Sequence, residues 1–356
     1  MKQGLALPQL AAQLEENALW NKDYLASTNI LTAYPEGNGS ISLAGIFGSV
    51  PGNKGNLHNL SHHALRQIGA HQNIPAKYMD RMVKDAPELL CSNINHWFAK
   101  EPSKRLFRTN REGVRAVLSN RYRIIDNDDV ASMTLPILMA MPELEIISCQ
   151  VTDKKLYIKA VTPKVQGEVV VGQAVQAGVI ITNSEIGMGS LSISPFAYFL
   201  WCLNGCSTGK GLAKYHVGRA AGDSEDIQEV IGDDTKEAED KALMLRMRDA
   251  LHASFDAVEF DKSLNKFREA KNIKVVDPVG SIEQIEKRGW ISQQEGKSIL
   301  AHLIEGGDTS VFGISSAVTR FSQDVESYDR ASDLENLGGA IIELPRNEWQ
   351  TIAQAA

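Results

Sequence analysis

From Lys100 to Arg123 the chain alternates apolar and polar residues and carries eight Lys/Arg against two Glu, inside a protein of net charge −7. A period of two is a strand signature, so this stretch is confined to extended backbone. Leu106–Arg108 and Val114–Ser119 read as paired strands, with residues 109–113 (TNREG) as the turn between them. Val114, Ala116 and Leu118 then share one face, and Arg115, Val117 and Ser119 the other. A charge reversal of about +6 within one hairpin suits a surface that meets an anion. The competing reading is an edge strand that uses charge to block pairing.

What surrounds the hairpin sets the fold class. Leu7–Leu25 has helical spacing (Leu10, Leu14, Ala18), and residues 35–61 read as a Gly/Asn-rich loop around one strand, Ile41–Phe47. Ser61 is an N-cap for a helix through Ile68; Ala76–Ala86 and Pro87–Ala99 are two further helices. After the hairpin, Asp126 or Asn127 caps a helix kinked by Pro136, and Pro142 stops it. Leu144–Thr152, Lys155–Thr162, Val169–Val171 and Val175–Thr182 read as strands, while Leu191–Cys202 fits strand or helix. From Asp226 the periodicity is helical, over Ala242–Phe260, Leu264–Ala270, Ser281–Lys287, Ser292–Leu303, Phe312–Gln323 and Arg330–Leu337. Ser281/Gln284 and Ser292/Glu295 have capping-box spacing, and Gly306–Gly307 ends a helix. The expected class is α+β: a basic hairpin, a helix and a mainly antiparallel sheet, followed by a helical C-terminal part. The expected regions are 1–99, 100–222 and 223–356, with a seam near Gly222–Gly232.

Composition narrows the classes of function. No apolar run approaches the ~20 residues of a membrane span. The N-terminus lacks the h-region and cleavage site of a signal peptide. Four cysteines (Cys91, Cys149, Cys202, Cys206) make no disulfide framework, which predicts a reducing, cytoplasmic setting. Gly222–Asp261 holds thirteen Asp/Glu against four Lys/Arg, so the chain carries an acidic block as well as a basic one.

The chemical motifs are incomplete. NSEIGMGS (183–190) has the Gly187/Gly189 pair of a phosphate loop without the full glycine pattern, and STGKG (207–211) is half a Walker loop, with Asn204 where a Gly is required. Cys202, Cys206 and His216 offer three metal ligands where structural zinc wants four; Cys91, Cys149, His62 and His63 are the available fourths. The expectation is no metal and no cofactor. His71 lies near the same loop as the paired His62-His63. Glu185 is the acid to test in an enzymatic reading.

Four stretches resemble a family of phage/plasmid-like bacterial proteins of unknown function: residues 117–130 (VLSNRYRIIDNDDV), 181–205 (ITNSEIGMGSLSISPFAYFLWCLNG), 214–219 (KYHVGR) and 315–339 (SSAVTRFSQDVESYDRASDLENLGG). They keep their order and span roughly 100 to 340. The resemblance implies a phage or plasmid accessory protein in a bacterial cell and carries over no catalytic residue. The order hairpin, helix, three strands and helix is also similar, at the level of fold alone, to Redβ-like single-strand annealing proteins.

The expected function is therefore single-stranded DNA binding by a homo-oligomer, a ring or filament, that promotes annealing in recombination. Lys104, Arg105, Arg108, Arg111, Arg115, Arg121 and Arg123 would neutralise phosphates, with Lys214 and Arg219 as a second basic spot. Phe107, Tyr122 and Trp97 would stack on bases. Two alternatives stand beside it: an interaction protein that inhibits a host defence complex, and a nucleic-acid-modifying enzyme using Glu185 and His216. No membrane partner is expected.

Overall fold

The computed structural model describes residues 1–37, 39–45, 57–209, 211–214 and 233–354. The chain opens with α1 (Leu7–Trp20) and β1 (Lys22–Ser27), then β2 (Thr32–Pro35), β3 (Ile41–Ala44) and β4 (Leu57–Asn59). Three helices follow, α2 (His62–His71), α3 (Ala76–Asp85) and α4 (Pro87–Lys100), and then the basic hairpin, β5 (Lys104–Asn110) and β6 (Gly113–Ser119). Next come α5 (Asn127–Ala140), β7 (Glu145–Val151), β8 (Leu156–Glu168), β9 (Ala174–Asn183), β10 (Leu191–Phe199), β11 (Asn204–Ser207) and β12 (Leu212–Lys214). The chain ends in helices: α6 (Asp233–Ala253), α7 (Ala257–Asn272), α8 (Pro278–Lys287), α9 (Gln293–Gly306), α10 (Val311–Phe321), α11 (Tyr328–Glu343) and α12 (Arg346–Ala353). The class is α+β with a helical C-terminal part.

The described strands form three antiparallel sheets: β1-β5-β6, β2-β3-β4, and β11-β10-β9-β8-β7 with β12 on β10. The expected first helix is therefore too long. Residues 22–27 leave it to pair with β5, Asp23 opposite Arg108 and Tyr24 opposite Phe107, because the ladder and the burial of Ala26 outweigh local helical spacing. Val169–Val171 is not strand but the β8–β9 turn, closed by Gln173 N–H to Val170 O (2.9 Å), with Val171 almost fully exposed.

The hairpin contains the most consequential departure. Arg108 pairs with Ala116 and Thr109 with Val114, so Arg115 is an extra residue in β6, a β-bulge. The bulge breaks the alternation. Val114 joins Phe107 and Val117 in one apolar cluster, while Ala116 and Leu118 pack with Leu106 and Ile186 in another. Both faces of the hairpin are thus buried, and Val114 is not on the face of Ala116 and Leu118.

The large sheet organises the rest. Ile158, Ala160, Val179 and Ile193 meet Leu10, Val130 and Met247 of α1, α5 and α6. Val175, Ala177 and Phe199 pack with the C-terminal helices, where Phe199 meets Phe267 and Phe312 edge-on at 5.3 and 5.8 Å. Such pairs add about 0.5–1.5 kcal/mol each beyond area burial. These clusters run across the expected boundaries near residues 99 and 222; the Gly222–Gly232 seam itself lies outside the described residues. On the sheet's other face, Lys159 Nζ reaches Glu335 of α11 at 2.5 Å, and both side chains are fully buried. Gly339 lets α11 ride against β11: a Cβ there would fall 1.9 Å from Ser207 O.

Local helix signals are seen at Ser61, which accepts from Ala64 N–H, at the Ser292/Glu295 box, and at Gly307 with φ +67°. Ser281 caps nothing. Asp277 takes that role, and Ser281 Oγ instead donates to Ile352 O (2.6 Å) inside the core. The single helix expected over 242–260 is two, because Asp256 caps a new start by accepting from Glu259 N–H.

Candidate functional site

The basic hairpin is for the most part turned inward. Arg108 is 1 % exposed. Its Nε and Nη2 donate to both oxygens of Asp23 (2.8 and 3.1 Å), Nη2 also to Asp126 (2.5 Å), and Nη1 to Glu185 O (2.9 Å). Burial opposes its charge, but Asp23 and Asp126 more than offset that and raise its pKa. Phe107 is core, fully buried. Tyr122 packs on the Leu106/Ile186 cluster and donates to Ser184 O (3.1 Å), and burial pushes its phenol up to about 12. Arg123 meets Glu239 at 3.3 Å. Burial of Arg108 and Phe107 leaves no room for the phosphate and base contacts expected of them, while Tyr122 is part-buried with its hydroxyl already bonded. Trp97 is half-buried on α4 beneath Lys100, whose ammonium lies 4.7 Å from the ring centroid.

The remaining expected cations scatter. Lys104 and Arg121 are exposed at one end of the hairpin; Arg111 is exposed at the other, its guanidinium 5.4 Å from the centroid of Trp20. Arg105 is half-buried and donates to Ser103 Oγ (3.2 Å). Lys214 lies in β12, and Arg219 and His216 lie outside the described residues.

Half-burial and the charge of Arg105 together lower the pKa of His71 to about 4. The sign follows directly. The folded imidazole resists protonation more than the unfolded one, so the stability it contributes is complete above pH 6.5 and is lost as pH falls through 4. Because the ring is partly solvated, the full shift is discounted to about 2 kcal/mol. His71→Gln is expected to flatten the pH dependence of the urea midpoint between pH 6.5 and 4. An unchanged acid limb in the variant would remove His71 from the account.

Six distant segments enclose a cleft of about 370 Å³ beside the turn of the hairpin. The α1 face brings Gln13, Asn17 and Asn21; the start of α2 brings Ser61, His62 and His63; the hairpin brings Asn110, Glu112 and Arg115. The β7–β8 turn contributes Thr152 to Lys154, and the β9–β10 loop contributes Glu185, Ile186 and Met188 opposite Asn127. Gly187 shapes that loop: its φ of +78° suits glycine, and a Cβ would fall 2.8 Å from Leu118.

Glu185 is engaged on both oxygens. Arg115 Nη1 donates to Oε2, and Asn127 N–H, the first of α5, donates to Oε1 at 2.7 Å. The carboxylate thus completes the α5 N-terminus, where backbone N–H groups and the helix dipole favour an anion. That arrangement suits an anchor rather than a proton-transfer group. His63 is half-buried and bonds Ile186 O through Nε2 (2.8 Å), and burial lowers its pKa. Lys154 projects at the mouth without an ion pair among the described residues.

Of the three suggested metal ligands, Cys202 lies in the β10–β11 turn and Cys206 in β11; Cys206 is fully buried, and burial drives its thiol pKa up. Among the described residues no group of three or more His, Cys, Asp or Glu side chains converges to hold a metal ion. No described helix is long and apolar enough to cross a membrane. Gly187 and Gly189 lie in the loop at the cleft, whereas residues 207–211 run from β11 toward β12, with 210 outside the described residues.

The cleft was not legible as a site because its residues are spread from Gln13 to Met188 and no two segments share a motif. Its one local signal is the NSEIG run, which places Glu185 ahead of a glycine turn. Fold and cleft together define an α+β protein with an amide-rich polar cleft at the junction of two sheets. Comparison with family models, curated proteins and solved structures finds no match to the chain.

Proposed function

We propose that the protein binds single-stranded DNA along this cleft rather than across the faces of the basic hairpin. The observation that carries the reading is the composition of the groove. Asn and Gln side chains with both donors and acceptors line it together with the exposed Lys154; the exposed Lys22 and Arg111 are chain neighbours of the lining residues Asn21, Asn110 and Glu112, and Trp20 lies under Arg111. A second groove, with Gln3 and Gln150, continues from the shared residues Thr152, Asp153 and Lys154. Amides read unstacked base edges, and an aromatic platform takes a base face.

Glu112 and Asp153 share the rim, so the field is mixed and charge cannot dominate affinity. Three phosphate contacts on a single strand correspond to a slope of log K against log salt of about −2, shallower than a fully basic hairpin would give. The order β5-β6-α5-β7-β8-β9 begins as the annealing-protein likeness does, but β10, β11 and β12 precede the next described helix, and the hairpin pairs with β1 instead of joining the large sheet. Annealing and assembly into a ring or filament, in a phage or plasmid setting, belong to the same proposal.

The test is titration of a fluorescent single-stranded oligonucleotide at several salt concentrations, with light scattering alongside. Arg111→Glu with Lys154→Glu, both on exposed positions, is expected to weaken binding about tenfold or more. Absence of binding at low salt, or indifference to the double change, would sink the reading and favour a protein partner.

A further inference from the structure

The Arg115 guanidinium is only half used. Nη1 is bound to Glu185, but Nε and Nη2 are shielded from solvent and have no hydrogen-bond partner. Buried donors are nearly always satisfied, and a charged one left open is the costly case. The two open groups are not scattered: Nε and Nη2 form one edge of the planar fork, spaced to hold two oxygens of a single oxyanion.

The backbone fixes the aim of this edge. Arg115 is the bulge residue, held out of the ladder between the Arg108–Ala116 and Thr109–Val114 pairs, and bulges re-aim side chains in this way. Its own carbonyl accepts from Ser61 Oγ (3.1 Å), which ties the bulge to the N-cap of α2. Glu185 cannot swing to cover the open edge without giving up Asn127 N–H. Bulk solvent does not reach Nε or Nη2, so a partner gains this edge only when the side chains between it and the cleft that Arg115 lines move aside. At the rim of that cleft the His62 side chain is 67 % exposed and meets Asp80 at 3.1 Å.

We propose that the Nε/Nη2 edge of Arg115 seats a phosphate monoester at the floor of the cleft, with Lys154 supplying the second positive charge at the mouth. A recessed seat suits a phosphoryl group with one ester carbon, the end of a strand or a nucleoside monophosphate. An internal diester has to continue in two directions. The inference rests on the cleft being a binding site for nucleic acid, and it names which part of the strand the cleft holds. Because Glu112 and Asp153 repel a free anion, inorganic phosphate alone is expected to bind weakly.

The experiment compares one single-stranded oligonucleotide carrying a 5′-phosphate with the same strand ending in 5′-hydroxyl. A nucleoside monophosphate, inorganic phosphate and succinate serve as small probes. The phosphorylated strand is expected to bind about tenfold tighter. Arg115→Lys, which keeps the charge but lacks the edge, is expected to abolish that preference. Lys154→Ala, at an exposed position, reduces it and serves as the check should Arg115→Lys fold poorly by thermal melting. If both strands bind equally, the seat is wrong and strand binding stands. If neither strand binds while the monophosphate does, in an Arg115-dependent manner, the seat stands and strand binding falls. Binding of succinate as tight as that of the monophosphate would overturn a phosphate seat.

Discussion

Arg108→Met is expected to lower stability by about 3–5 kcal/mol, while Arg111→Ala, three residues away in the same basic hairpin, changes it by less than about 0.5 kcal/mol. The contrast follows from where the two guanidinium groups sit. Arg108 is sealed between β1, the hairpin and the α5 N-terminus, and it satisfies Asp23, Asp126 and Glu185 O at once. Met fills similar space but leaves the two carboxylates facing each other and a buried carbonyl without a donor. Arg111 stands in solvent over Trp20 and leaves nothing uncompensated. Urea melts decide the matter; equal midpoints for the two variants would show that the Arg108 network carries no stability. A consequence for binding assays is immediate. A combined change of Arg108, Arg111 and Arg115 to Ala would unfold the protein and leave the proposed DNA binding unexamined, so the exposed pair Arg111 and Lys154 is the informative one.

Lys159→Met is expected to destabilise by a comparable 3–5 kcal/mol, and Lys159→Met with Glu335→Leu to recover most of that loss or exceed the parent. Lys159 rises from the middle of β8 and Glu335 from α11, and neither side chain sees solvent. Burial disfavours the ammonium, but Glu335 and Tyr328 together outweigh it and raise the Lys159 pKa. The Tyr328 ring lies 4.9 Å from the ammonium, and Tyr328 Oη bonds Ser148 Oγ (2.7 Å). Glu335 Oε1 has no partner. Removing Lys159 strands a buried carboxylate, whereas removing both charges also removes the desolvation cost. Thermal melting of the two single variants and the double variant measures the coupling; additive losses would mean that the pair does not act as a unit.

The cost of breaking each network is large for the reason that neither was visible beforehand. Asp23 lies 85 residues from Arg108, and Glu335 lies 176 from Lys159. Lys159 sits in an apolar strand run, YIKAV, and nothing within that run tells which face of the strand is covered. Only the docking of α11 puts it inside. The same holds for Arg115, which is one of many hairpin cations until the register is known.

Signals that act within a few residues were legible. The Ser61 cap, the Ser292/Glu295 box, the Gly307 stop, the hairpin and its helix, and the β7–β8 hairpin all depend on neighbours along the chain. Together they define an α+β protein with a helical C-terminal part. What the chain's own pattern left undecided was the direction of each hairpin side chain. A third strand, β1, recruited from a stretch with helical spacing, covers one edge; a bulge at Arg115 shifts the alternation by one residue; and the Asp23 and Asp126 carboxylates draw Arg108 inward. Periodicity reports which residues share a face, but burial of a face depends on what packs against it. That choice is made by segments far apart in the chain, and they meet only in the folded state.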